Sequence, residues 1–294
     1  MMASAGPSSQ PPGLLPQYSF IDSEDFVAQF IDKIIQFSEC TPTLYIDLEG
    51  VNLLSRPGGG TVSVMQILVD EPQDYTYLID VYKLGRAAFL TTGYVEACNL
   101  RDILESPGVD KVVHDVRRVS FALYGHFDVR LEGVRDLQLM EVAVRLPAAS
   151  EPAASESTSG SGSGSKRSLR GLAACIERDY PWWHHGRDAA RRRREWIATK
   201  NRGRELVVPA CGGRYRNLIA RPMPRDLVAY CLGNVVFLPS LFEKYSRLLL
   251  LRQGVGTGMG MGIGLGRGLE RGMGMGSGRV TREMVEEEIG RAHV

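Results

Sequence analysis

The sequence predicts an α/β domain built on a mixed sheet flanked by helices. Two patterns carry that prediction. Short apolar runs of strand length come first as a meander with a turn-forming EPQD between two of them. Further runs then alternate with stretches whose apolar residues recur at helical spacing. A third observation bounds the reading: 44% of the 294 residues are hydrophobic, enough to bury a sizeable core.

The elements follow in order. Residues 1–20, rich in Pro, Ser and Gly, read as a disordered leader, and the domain proper as 21–252. Phe26, Phe30, Ile31, Ile34 and Ile35 recur at helical spacing, so 23–38 reads as an amphipathic helix. Residues 43–48 (TLYIDL), 62–69 (VSVMQILV) and 75–79 (YTYLI) read as three strands. Leu84, Phe89 and Leu90 begin a helical stretch that 100–104 continues. Residues 111–113 make a fourth strand, leading into a helix through Val116, Ser120, Leu123 and Tyr124, and 134–139 is a fifth short strand or a helix entry. Residues 149–165 (ASEPAASESTSGSGSGS) form a flexible insertion. Beyond it, 166–204 reads as helical and very basic, and 223–250 as one long helix with Pro239 in mid-course. Twelve glycines between 254 and 278 mark 253–280 as a low-complexity Gly/Met arm, with Arg267, Arg271 and Arg279 adding weak nucleic-acid affinity; 281–294 is a short terminal helix.

The formal charge of +1 excludes a histone-like basic protein and an acidic tail protein, but it averages over unlike pieces. Residues 1–165 hold 11 Lys+Arg against 22 Asp+Glu, residues 166–225 hold 16 against 5, and residues 226–294 hold 8 against 7. The first two blocks are therefore −11 and +11, either two sides of one site or two unrelated solvated faces. Cys40, Cys98, Cys175, Cys211 and Cys231 are scattered singly, as expected of reduced thiols in an intracellular compartment, nucleus or cytoplasm. The N-terminus lacks a basic start with a long apolar run, and no stretch approaches eighteen apolar residues. Neither a signal peptide nor a membrane span is expected.

The sharpest chemical feature is Asp47-Leu48-Glu49. Strand alternation places both carboxylates on one face, about 6–7 Å apart along the backbone. Such a pair can hold Mg²⁺ or Mn²⁺, although a bare pair of this kind far more often describes acids facing water. Lys111-Val-Val-His114-Asp115-Val-Arg117 follows some sixty residues later, and Tyr230-x-x-x-Asn234 lies on the last long helix.

In order and spacing these segments resemble the DEDD superfamily of 3′–5′ exonucleases, ribonuclease D and its small exonuclease-domain relatives most closely, over about residues 22–250. YIDLEGVNL resembles the first motif, KVVHDVRRVSFALY the second and RPMPRDLVAYCLGNVVFLPSLFEKY the third. The resemblance implies a ribonuclease-H-like mixed sheet flanked by helices. It also implies two metal ions about 4 Å apart, one readying the attacking water and one steadying the leaving oxygen. Carried over by position, Asp47 and Glu49 are metal ligands and Tyr230 orients the water. Two positions depart from the pattern: Val119 stands where the second motif places an aspartate, and Asn234 where the third does. Two carboxylates remain where four are usual. Asp115, one helical turn before Val119, is a possible substitute by i,i+4 geometry. His114 matches a second-motif position and reads as a structural hydrogen-bonding residue, and Cys231 as a buried thiol.

The basic block lies between the second and third motifs. Arg191, Arg192, Arg193, Arg194, Lys200, Arg202, Arg204 and Arg214 are interleaved with Trp196 and Tyr215, residue types that neutralise phosphates and stack bases. Trp196 reads equally as core. His184-His185 has no partner at ligand spacing and reads as a surface pair. Gly212-Gly213 reads as a turn and not a phosphate loop. The resulting expectation is a domain that binds single-stranded RNA or DNA through an eroded two-metal site, as a binding or adaptor module with protein partners in RNA-processing complexes. The alternatives are a working Mg²⁺- or Mn²⁺-dependent 3′–5′ exonuclease, and a protein-binding scaffold using the Gly/Met arm.

Overall fold

A computed structural model describes residues 17–36, 42–54, 60–69, 75–146, 168–183 and 187–254. The expected leader up to residue 16, the 149–165 insertion, the Gly/Met arm from 255, the terminal helix, Cys40 and His184-His185 lie outside these residues. Two units are distinguished. One holds the described parts of 1–137 and 171–242, the other those of 138–170 and 243–294.

The first unit is built on a six-stranded sheet of β1 (Tyr18–Ile21), β2 (Leu44–Val51), β3 (Thr61–Val69), β4 (Tyr75–Ile79), β5 (Lys111–Val113) and β6 (Val134–Asp136). Their order is β1-β4-β3-β2-β5-β6. β2, β3 and β4 form the expected antiparallel meander, while β1–β4, β2–β5 and β5–β6 pair in parallel. This is the mixed sheet the sequence predicts. β1 was not anticipated, and three of its four residues fall in the stretch read as leader. It is an edge strand paired in parallel, so no hairpin turn announces it, and a four-residue run beside Pro- and Gly-rich chain carries little periodicity.

Alternation along β2 sorts its residues. Leu44, Ile46 and Leu48 enter the main core with Val27, Phe30, Ile31 and Ile34 of helix α1 (Glu24–Ile35), leaving Tyr45, Asp47 and Glu49 for the opposite face. Ser23 caps α1 by accepting from the Phe26 amide. Two short helices, α2 (Val81–Leu84) and α3 (Ala87–Leu90), and α4 (Leu100–Glu105) cover the core side, and α4 begins with an Asn99–Asp102 capping box. Lys111, buried at the start of β5, donates to the Ile103 and Ser106 carbonyls at 3.2 and 2.6 Å, adding to the backbone amides that these already accept. Helix α5 (Val116–Phe127) leaves β5 through Asp115, whose φ of 63° lies in the left-handed region. Asp136 of β6 caps it from the side, accepting from the Asp115 and Val116 amides at 3.0 and 2.9 Å.

The stretches read as single helices are interrupted. Residues 166–204 contain α7 (Leu172–Asp179), a 3-10 turn at Pro181–Trp183 and α8 (Ala189–Val207); α6 (Leu137–Arg145) precedes them. The expected long helix over 223–250 divides into α9 (Arg225–Val235) and α10 (Leu238–Gly254). Pro239 falls in the first turn of α10, where its missing amide hydrogen leaves no intrahelical bond unmade. By length and apolarity Arg225–Arg252 passes for a membrane span, yet Leu227, Cys231, Leu232, Val235 and Leu241 are buried in the protein.

In the second unit Glu141 is buried and accepts from Arg145 at 2.8 Å and from Arg170 at 2.5 Å. Arg252 donates to the carbonyls of Ala143 and Leu146, both at 2.6 Å, and so closes the end of α6.

Candidate functional site

The site face of the sheet is set by register. Asp47 pairs with Gln66 and Glu49 with Val64 across β2 and β3, so these four side chains share one face. The ladder slips between Glu49 and Gly50. A Cβ on Gly50 would stand 2.2 Å from the Thr61 carbonyl oxygen, so the bulge needs glycine there. Over this face lies α9, packed on β2 and β3, with α8 packed on α9. α8 and α9 meet where Gly203 faces Tyr230. A Cβ on Gly203 would stand 2.2 Å from the tyrosine ring, so a glycine here lets the helices close.

α9 brings Tyr230 and Asn234, one helical turn apart, over the acid pair. The Asn234 amide nitrogen donates to Glu49 Oε1 at 2.8 Å. On its other side the Asn234 amide oxygen accepts from the Lys200 ammonium of α8. That ammonium stands 3.9 Å from the centre of the Tyr230 ring, a cation–π contact. An ammonium on one side and a carboxylate on the other fix which way the amide points.

Burial governs the charge states. It raises the Asp47 carboxyl, and burial with the neighbouring Asp47 charge pushes Glu49 up to about 7, against the pull of Lys200 and Arg118. Burial pushes the Lys200 ammonium down, opposed by Glu49 and Asp47. It raises the Tyr230 phenol and the Cys231 thiol, both of which stay protonated. The Glu49 shift carries a sign. Its pKa in the folded protein lies above the ordinary 4.5, so the native state holds the extra proton between about 4.5 and about 7. The unfolding free energy therefore falls as pH rises through that window, by up to about 3 kcal/mol. Urea unfolding of Glu49→Gln is expected to lack this decline; equal slopes in variant and parent would count against it.

No family model matches the chain, and no curated protein matches it in sequence. Among solved structures it is similar to RNase D of Trypanosoma brucei, with a TM-score of 0.56 at 17% identity, covering 95% of this chain and 83% of that one. The same enzyme in complex with RNA U12 gives a TM-score of 0.55 at 17% identity, covering 94% of this chain and 81% of that one. The catalytic core of RRP6 from Trypanosoma brucei gives 0.52 at 15%, covering 84% of this chain and 51% of that one. The chain has the fold of RNase D.

Within the RNase D fold the residues at the site do not suit two divalent ions. Asp47 and Glu49 are the carboxylates present, and the described residues contain no cluster of three or more His, Cys, Asp or Glu able to hold a metal. Val119 is 2% exposed, packed in the core, and has no donor atom. The Asn234 oxygen is engaged by Lys200. Asp115 does not stand in for Val119: it precedes α5 in left-handed backbone, so the expected i,i+4 relation fails, and its carboxylate accepts from Arg117 Nε at 2.7 Å. His114 faces the Cys175 sulfur at 3.8 Å.

The expected nucleic-acid track also needs correction. Trp196 is 9% exposed and packs against Trp183 and Phe237, with ring centroids 5.8 and 5.9 Å away, so it is core and offers no face to a base. Lys200 belongs to the acid pair. Arg191 pairs with Glu195 and Asp188, Arg193 with Glu177 and Arg202 with Asp226, which offsets much of the local positive charge. Arg194, Arg204 and Arg214 are exposed with no ion pair among the described residues, and Tyr215 and Arg216 are exposed beside Arg214. Gly212, with a φ of 89°, closes the 3-10 turn at Pro209–Cys211, as expected of a turn.

Sequence reasoning missed two features. The role of Lys200 was one, although a signal was present. Trp196, Gly203 and Val207 are buried along α8, and Lys200 lies at i+4 from Trp196 and i−3 from Gly203, on the buried stripe. The other was Gln66, fully buried opposite Asp47, a pairing that only strand register reveals.

Proposed function

We propose that this domain binds single-stranded nucleic acid on an exonuclease scaffold without hydrolysing it, as a binding or adaptor module. The observation that carries the reading is the Asn234 amide tied to both Glu49 and Lys200, where the resemblance implies a carboxylate; Val119, the other departure, is buried and has no donor atom. The exposed arginines Arg194, Arg204, Arg214 and Arg216 supply phosphate contacts, and Tyr215 an exposed ring for stacking. RNase D of Trypanosoma brucei, which shares the fold, is described in complex with RNA U12 and with GMP.

Fluorescence anisotropy and a trimming assay on 3′-labelled single-stranded RNA and DNA test this together. Binding is expected in EDTA, to persist without trimming when Mn²⁺ is added, and to weaken by an order of magnitude or more between 50 and 200 mM salt, as several phosphate contacts require. Processive trimming in Mn²⁺ that Asp47→Ala abolishes would establish the competing reading, an active 3′–5′ exonuclease. A flat salt response would remove the arginine surface from the account.

A further inference from the structure

The Asp47–Glu49 pair places two acidic groups side by side on one half-buried strand face, and the residues around it show what holds it. Two carboxylates on one strand face repel each other, and burial makes each costlier to ionise. A site built for divalent ions leaves its carboxylate oxygens open to the ions and surrounds them with further anionic ligands. Here neither holds. Asn234 donates to Glu49, which uses a carboxylate lone pair that an ion would take. The other end of the same amide receives Lys200, a permanent feature of α8 and not a diffusible ion.

We propose that Lys200 is the resident cation of this site. Its ammonium, relayed through the Asn234 amide and seated on the Tyr230 ring, holds the acid pair in place of divalent metal, so that the groove is assembled and able to bind its polymer without any ion.

Three geometric features converge on this role. Lys200 lies on the buried stripe of α8 that faces α9, although the helix around it is among the most basic stretches of the chain. Arg194, six residues earlier on the helix, is exposed, whereas Lys200 is directed at the Asn234 amide. Gly203, one turn further on, lets α8 approach until the Tyr230 ring lies under the ammonium, and a side chain there would push the two apart. Asn234 serves as the relay because an amide can accept from the ammonium and donate to the carboxylate at once. An ionised aspartate accepts only. The amide and the lysine are therefore one device, and Asn234 is fitted to it.

This inference deepens the non-hydrolytic reading of the site and rests on it, and the test separates the two. Mn²⁺ is titrated by calorimetry into the full chain and into Lys200→Met, Lys200→Arg and Lys200→Met/Asp47→Asn, with thermal midpoints recorded in EDTA and in 5 mM Mn²⁺. The parent and Lys200→Arg are expected to bind no Mn²⁺ at millimolar concentration and to melt alike in both solutions. Lys200→Met frees the pair, and is expected to bind one Mn²⁺ at least tenfold more tightly than the parent and to gain stability in Mn²⁺. The double variant loses that gain. Tight binding of Mn²⁺ by the parent overturns the proposal even where Lys200→Met fails to fold, and so does a Lys200→Met protein that folds and remains indifferent to Mn²⁺. Oligonucleotide anisotropy in EDTA is read separately. A parent that ignores Mn²⁺ and also fails to bind RNA or DNA sinks the nucleic-acid reading while leaving Lys200 as the resident cation.

Discussion

Arg221→Ala is expected to lower the unfolding free energy by about 3–5 kcal/mol, the usual effect of stranding a buried charge. Asp80 closes β4 with a side chain only 1% exposed, and Arg221 grips it with a two-pronged contact at 2.5 and 2.6 Å. The same guanidinium donates to the carbonyls of Leu218 and Ala220, at 2.9 and 2.8 Å. Ser63, in β3, also donates to the Leu218 carbonyl. The chain entering α9 is thus pinned to the ends of β3 and β4 just before it delivers Tyr230 and Asn234 to the acid pair. Truncating the arginine leaves the Asp80 carboxylate with the Lys83 amide as its remaining recorded donor. Chemical denaturation measures the loss, and Asp80→Ala/Arg221→Ala is expected to cost well below the sum of the single variants, because removing both charges removes the stranded one. A loss under about 1 kcal/mol for the single variant would mean that the pair behaves like an exposed one.

Trp196→Ala is expected to cost a similar amount, about 3–5 kcal/mol, for a different reason. Trp196 closes an aromatic cluster in which Tyr180, Trp183 and Phe237 meet at ring-centroid distances of 4.7–5.7 Å. The cluster joins α8 to the turn at Pro181–Trp183 and to the break between α9 and α10, so deleting one of its two indoles opens a cavity where elements from three parts of the chain meet. Trp196→Phe keeps most of the contact and is expected to cost about 1–2 kcal/mol. Oligonucleotide binding provides the second readout. A stacked base is worth roughly 1–3 kcal/mol, so a stacking tryptophan would weaken binding about fivefold or more when changed to alanine. A core tryptophan leaves the affinity of the folded fraction nearly unchanged, and a large drop in affinity with little loss of stability would return Trp196 to the binding surface.

These two residues show where local pattern stops. Alternation from Leu44 through Glu49 was enough to place Asp47 and Glu49 on one face and Leu44, Ile46 and Leu48 on the other, because a strand's period is a property of its own backbone. The meander and the helix from Ser23 were readable for the same reason, each being a local repeat of apolar residues. Trp196 and Lys200 were read as partners of the arginines around them because composition averages over a whole stretch. α8 is a helix with two faces, and which residues turn inward depends on where α9 and α10 lie. Asp115 failed as a substitute acid because i,i+4 geometry holds only inside a helix, and the helix begins one residue later. The edge strand β1 escaped because its partner lies more than fifty residues on and no turn joins them.

The sequence by itself determined the α/β class, the meander and the acid pair on one strand face. Each of these depends on residue identity or on a period of two or 3.6, which the chain expresses without reference to the rest of the molecule. Only the tertiary structure decided what stands opposite the acid pair. Lys200 is 34 residues from Asn234 and far from Glu49 in sequence, and the three meet because Gly203 lets α8 close on α9 while the Asp80–Arg221 contact sets where α9 begins. Helix-on-helix and helix-on-sheet packing choose among faces that the sequence merely makes available, and that choice turned a lysine from a basic surface run into the counter-charge of a half-buried site.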